Sequence, residues 1–323
     1  MKRFNVPLIA LTMIALSLAL VAAGCGSDDD SGSSNGDLSG SIKIDGSSTV
    51  APLSEAAAEK FQAENPNVRV TVGTSGTGGG FEKFCAGETD ISDASRPIKE
   101  EEVEICEKNG IKYEQLQVAN DGLAVVVNPE NDFAQCLTTD QLKTIWDKGS
   151  EVDNWNQVDS SFPDETMELY GPGTDSGTFD YFTDAINGEE GQSRSDYNAT
   201  EDDNVIVQGV SGSRGGTGYF GLSYVQQNEG KVKAVEVDGG DGCVAPSTET
   251  VQDGSYKPLS RPLFIYASAD ALKRSEVDSF LEYYITNQAE IAEQALYVPM
   301  TEEQATASKE AIDKLVADQG ATS

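Results

Sequence analysis

The sequence contains no histidine, and only 22 Lys and Arg residues stand against 55 Asp and Glu, giving a formal net charge of −33. Without histidine there is no Ser-His-Asp or Cys-His catalysis, no histidine-ligated zinc and no histidine-held haem. The shortage of basic residues removes nucleic acid as a general partner, because holding a phosphate backbone needs a basic footprint. No CxxC occurs, so a zinc ribbon or a thioredoxin-type site has no support. None of the glycine-rich turns carries a P-loop lysine, which disfavours nucleotide binding. No cofactor is expected. What remains is a globular composition, 38% hydrophobic and 24% charged, over 323 residues. That length suits about two domains.

The N-terminus reads as a targeting segment. Lys2 and Arg3 precede an uncharged apolar run over residues 6–22, and small residues then lead to Cys25. A membrane span needs about 20 apolar residues. The basic start and small-residue exit favour cleavage instead. The cut site is similar to the lipobox of bacterial lipoproteins, although Ala22 stands where leucine is usual. The resemblance implies a signal peptide over residues 1–24 and lipidation of Cys25. Residues 25–40 are rich in Gly, Ser and Asp and read as a flexible tether. The expected location is therefore outside the cell, on the outer face of the cytoplasmic membrane or in the periplasm, held by a lipid.

Four cysteines remain besides Cys25, and an even number in an exported chain suggests disulfides. Three pairings exist. Cys85–Cys106, close in sequence, together with Cys136–Cys243 is the favoured one.

Beyond the tether, strand and helix patterns alternate. Strands are expected over 41–45, 68–72, 113–118, 123–127 and 168–170. Helices are expected over 50–64, 79–86, 99–108, 139–146, 179–186 and much of 275–297. This alternation predicts an α/β architecture with mainly parallel sheets. Turns rich in glycine and hydroxyls sit at three strand-to-helix handovers, over 45–50, 73–80 and 171–178. Helix starts offer free N–H groups there, and such turns let an oxyanion approach them. A single turn of this kind is ordinary helix capping; three together point to an anion site.

The runs IDGSSTVAPL (44–53), GTSGTGGGF (73–81), ISDASRPI (91–98), DGLAVVVNP (121–129), GPGTDSGTFDYF (171–182) and SRSDYNATEDDNVIVQGV (193–210) occur in one order. Together they resemble the PstS family, the phosphate-binding proteins of bacterial ABC importers. The resemblance covers roughly residues 40 to 300. It implies a two-lobed, periplasmic-binding-protein-like α/β fold with inorganic phosphate in the cleft. It further implies a monomer that is no enzyme and delivers phosphate to the permease subunits of an ABC importer in the membrane.

Carried over residue by residue, the first loop's ligands fall on Ser48, Thr49 and the N–H of Val50. The second loop's hydroxyl falls on Ser75 or on Thr77, depending on which glycines are aligned. The third loop supplies Ser176, Gly177 and Thr178. Two family positions differ: Ser95-Arg96 stands where a Ser-Asp pair is usual, and Pro172 stands where an arginine is usual. Arg96 is therefore the first candidate guanidinium, and Arg194 the second. A carboxylate that accepts the phosphate proton and repels an unprotonated anion is sought in Asp121 or Asp175.

A two-lobed binder crosses between lobes on extended segments, here expected at 117–123 and 259–266. Residues 41–118 with 266–323 then form lobe I, and 119–265 form lobe II. Three rivals stand beside this reading: a binder of another oxyanion or small anionic ligand, a phosphatase, and a surface interaction protein.

Overall fold

The structure is a computed structural model that describes residues 38–320. The expected leader, Cys25 and the tether as far as residue 37 lie outside the described residues.

Strand β1 (Ser39–Gly46) turns Ile42 and Ile44 into a core. Helix α1 (Ala51–Glu64) carries Pro52 in its first turn, where a missing N–H costs nothing, and buries Leu53, Ala57 and Phe61 on one face. Strand β2 (Asn67–Gly73) returns parallel to β1. Helix α2 (Gly76–Cys85) and strand β3 (Ile91–Ala94) follow, with β3 parallel to β1. Helix α3 (Glu100–Lys108) opens with three glutamates and ends on Lys108, the order its dipole favours.

Strand β4 (Tyr113–Val127) is one continuous strand where two were expected. Asp121-Gly122 does not break it. A Cβ at Gly122 would lie 2.5 Å from Val251, so glycine is needed for the strand to pass.

The next segment builds a second body. It contains β5 (Cys136–Thr138), α4 (Thr139–Trp146), α5 (Trp155–Val158), β6 (Glu168–Gly171) and α6 (Gly177–Phe182). A π-helical turn over 183–187 continues α6. Then come β7 (Asn198–Ala199), α7 (Asp203–Gly212), β8 (Gly216–Gly221), α8 (Leu222–Gln227) and β9 (Lys233–Ala234). The short β10 (Glu236–Asp238), β11 (Cys243–Val244) and α9 (Thr248–Gln252) complete it. Strand β12 (Ser260–Ser268) returns alongside β4, and α10 (Ser275–Thr286), α11 (Gln288–Gln294) and α12 (Glu302–Gly320) close the chain.

The main sheet runs β2-β1-β3-β12-β4-β8-β6-β7, with β9 also on β4. Its outer pairs are parallel, but β3–β12, β12–β4 and β4–β8 are antiparallel. The expectation of mainly parallel sheets is thus corrected at the centre. A strand that brings the chain back beside β4 must run against it.

Apolar side chains fall into two main cores. One gathers Ile42, Leu53, Phe61, Leu116, Leu263, Phe280 and Ile312. The other gathers Leu123, Val125, Trp146, Phe182, Phe220 and Leu259. Strands β4 and β12 pass from one core to the other. Disulfides join Cys85 to Cys106 and Cys136 to Cys243, each inside one body. Among the described residues no helix is long and apolar enough to cross a membrane.

Candidate functional site

The loop from β1 to α1 and the start of α2 meet backbone to backbone. Gly46 has φ 149°, and a Cβ there would lie 2.1 Å from the carbonyl oxygen of Asp93. A Cβ on Gly80 would lie 2.5 Å from the Cα of Gly46. Only glycines allow this approach. It holds Ser47, whose N–H donates to the Asp93 carbonyl (2.9 Å), and it positions Ser48 and Thr49. Across from them Thr77 Oγ1 lies 3.1 Å from Ser95 Oγ and accepts from the Ser95 N–H (3.2 Å). The Ser75 hydroxyl donates to Asp45, which also takes Lys83 at 2.6 Å. Burial raises the Asp45 pKa, but the hydrogen bonds from Lys83 and Ser75 outweigh it and hold the carboxyl below its ordinary value.

Ser48, Thr49, Ser75, Thr77 and Ser95 line a cavity of about 410 Å³. Gly177 and Tyr181 of α6 face them, with Asp180, Asp184 and Glu190 on the same side. The fit is tight at one point, because a Cβ on Gly177 would lie 2.4 Å from Thr49 Oγ1.

The guanidinium inside this cavity belongs to Arg261, which sequence reasoning missed. Its Nε donates to Asp121 Oδ2 (3.2 Å), one terminal nitrogen to the Ser95 carbonyl (3.4 Å) and the other to Thr49 Oγ1 (3.3 Å). Its carbon lies 3.7 Å from the centre of the Tyr181 ring, whose hydroxyl is anchored on the Pro258 carbonyl (2.7 Å). An arginine held on four sides is pre-organised for a planar, bidentate anion contact. Asp121 is 4% exposed; burial raises its pKa more than Arg261 lowers it. Its position opposite Arg261 follows from the β4–β12 register. One signal was available: an arginine in a crossing strand is a buried charge, and buried charges need partners.

Several expected residues lie elsewhere. Val50 is buried, and its N–H is spent on the Ser47 carbonyl (3.2 Å). Ser176 Oγ accepts from the Thr178 N–H (3.2 Å) as a helix cap, so of the third loop's trio only Gly177 lines the cavity. Asp175 is exposed and outside the lining. Arg194 is 6% exposed and does not reach the cavity. It donates to the carbonyls of Ile145 (3.0 Å) and Val152 (2.8 Å) and pairs with Asp196, holding a polar loop onto the second core. Arg96 does line the cavity, but both its terminal nitrogens are on Glu102 at 2.8 Å.

The electrostatics differ across the cavity. Hydroxyls and Arg261 favour an anion with several acceptor oxygens. Asp180 is half-buried, and its pKa is raised by burial and then by Glu190, with Arg261 pulling it down. Among the described residues the only close metal-type cluster is Cys136, Glu236 and Cys243, and both of its sulfurs are in the disulfide.

Comparison with known proteins agrees with this chemistry. Residues 31–288 match the PBP superfamily domain family. Protein SphX of Synechococcus elongatus is 51% identical over 83% of this chain and 80% of its own length. The phosphate-binding protein PstS of Staphylococcus saprophyticus is 40% identical over 98% of this chain and 96% of its own. Among solved structures, a possible phosphate-binding protein from Planctomyces limnophilus superposes with a TM-score of 0.82 at 46% identity, covering 86% of this chain and 99% of that one. The chain belongs to the PBP superfamily and, within it, to the family of PstS phosphate-binding proteins.

Proposed function

We propose that this chain binds inorganic phosphate in the cavity around Arg261 and delivers it to the permease of an ABC-type importer. The observation that carries the reading is Arg261, fixed by Asp121, Tyr181 and Thr49 in a cavity lined with hydroxyls. The proposed ligands are Arg261, Ser48, Thr49, Thr77, Ser95 and the backbone at Gly177. Arg96 stands at the edge as a reserve charge. Asp121 orients the guanidinium, and Asp180 is the carboxylate set to read the phosphate proton.

The two lobes are proposed as residues 41–118 with 266–323, and 119–265. This division is supported by the way the buried apolar residues separate into two cores, although Ala119, Leu263 and Ile265 of the crossing strands fall in the first core and Val298 in the second. The chain acts as a monomer, exported and tethered through acylated Cys25, and it binds without catalysis.

Calorimetry on the full-length chain tests the reading with phosphate, sulfate and molybdate in turn. One phosphate per chain with poor competition by sulfate is expected. Equal affinity for all three would leave an oxyanion binder without proton reading; no heat with any would overturn the assignment. Turnover of a chromogenic phosphate ester would overturn the non-catalytic part.

A further inference from the structure

Asn120 and Asp121 are neighbours on β4, so their side chains leave opposite faces of the strand. Asp121 meets Arg261 on the cavity side. Asn120, 2% exposed, points the other way and donates to the Pro299 carbonyl and to Gln304 Oε1, each at 3.1 Å. Behind it lies a groove of about 690 Å³. One wall, with Glu249 and Gln252, belongs to α9, whose Val251 packs into the second core. The other, with Gln304 and Ala307, belongs to α12, whose Ile312 packs into the first. Reciprocal amide bonds tie the walls together: Gln252 Nε2 donates to the Pro299 carbonyl (2.9 Å), and Gln304 Nε2 to the Gln252 carbonyl (3.1 Å).

The groove and the anion cavity therefore lie on opposite sides of the β4–β12 pair that joins the two cores. In this structure the front is shut, since Gly177 leaves no room for a Cβ against Thr49. Bodies joined by so narrow a ribbon move about it as a hinge. Widening the front must then narrow the back. We propose that the groove behind the hinge sets the affinity of the cavity in front: the side chains that its two walls, α9 and α12, put into it resist opening and hold the anion in. The inference rests on the phosphate reading only for its affinity readout.

Wedges from either wall test it. Ala307 and Glu249 are exposed, line the groove, and make no side-chain hydrogen bond there. Ala307→Trp and Glu249→Trp are each expected to slow release of radiolabelled phosphate and tighten its binding by about three- to tenfold. The shut fraction of the ligand-free chain sets the ceiling. Ala307→Ser is the control and stays at wild type. Small-angle neutron scattering of the full-length, ligand-free chain, with its detergent contrast-matched, is expected to show a more compact particle for both wedges. Release within twofold of wild type together with unchanged scattering, or weaker binding in a variant that melts normally, overturns the proposal. If one wedge fails to fold, the wedge on the opposite wall decides. If the wild type takes up no phosphate, the functional reading fails, and the scattering difference alone decides the groove.

Discussion

On one side of the cavity, Gly46 and Gly80 bring two segments into backbone contact, the Ser47 N–H is held by the Asp93 carbonyl, and the hydroxyls of Ser75 and Thr77 are fixed by Asp45 and Ser95. On the other, Gly177 is followed by Asp180, Tyr181, Asp184 and Glu190. The first wall donates hydrogen bonds and carries Lys99 and the Glu102-paired Arg96; the second is acidic. An anion that still carries a proton can satisfy both, giving its proton to the acidic wall while accepting from the first. A fully ionised anion meets donors on one side and repulsion on the other, so the asymmetry itself selects. Arg261 rises from the strand between the walls and touches Thr49 on one and Tyr181 on the other. The large negative charge of the chain does not oppose this, because salt screens distant charges within about 10 Å.

Both walls depend on Arg261. Arg261→Ala deletes a charge-assisted contact worth roughly 1.5–3 kcal/mol, or about ten- to a hundredfold in phosphate affinity. It also leaves Asp121 buried without its cation, which destabilises folding strongly. Arg261→Ala with Asp121→Asn is expected to recover the melting temperature and not the affinity. Recovery of both, measured by calorimetry and thermal melting, would mean that Arg261 is structural.

The donor wall has its own titration. Asp93 is fully buried, accepts from Ser54 Oγ at 2.8 Å, and has its pKa raised by burial to about 8. The unfolded chain loses this proton near the ordinary value of 3.8, while the folded chain keeps it up to about 8. Stability from this group is therefore full below the lower value and falls as pH rises between the two, by about tenfold in the folding equilibrium per pH unit. Above the upper value the loss stops growing. Asp93→Asn should remove this slope. Melting curves from about pH 5 to about pH 9 check it; parallel profiles for the two proteins would refute it.

The acidic wall is probed by Asp180→Asn. The asparagine cannot accept the phosphate proton as an anion does, nor repel sulfate. Discrimination between phosphate and sulfate is expected to fall by about tenfold, mostly through better sulfate binding. Unchanged discrimination would move proton reading away from Asp180.

These residues differ in how far sequence alone could reach them. The donor wall was legible, because glycine and hydroxyl runs at strand–helix handovers are local and their spacing is visible. Helices α1, α3 and α4 were legible for the same reason, each having its periodic face or cap in its own residues. Arg261 was not. Its role depends on the pairing of β12 with β4, which brings it to Asp121 across 140 positions. Arg194 misled for the converse reason: a polar loop resembles a ligand loop until the carbonyls of Ile145 and Val152 are seen to occupy the guanidinium. Strand β4 was divided because Asp-Gly reads locally as a turn, and only its partners on both sides keep it extended.

Arg96 contributes least to holding the anion. It lines the cavity on the donor side, yet both its terminal nitrogens are engaged by Glu102, which also accepts from the Lys99 N–H at the start of α3. That pairing raises the Arg96 pKa and keeps it charged, but it points the fork at the protein. A ligand would have to displace a bidentate carboxylate to use it, so the exchange is close to neutral. Arg96→Ala should therefore weaken phosphate binding by only about two- to fivefold, through lost long-range attraction. Glu102→Gln separates the alternatives, since it keeps the shape and releases the fork. If Arg96 is a reserve, freeing it should tighten binding by a similar factor. If Arg96→Ala costs more than about tenfold while Glu102→Gln changes nothing, Arg96 already holds the anion in solution. The donor wall would then supply a guanidinium as well as hydroxyls, and Arg261 would share the anion's charge with it.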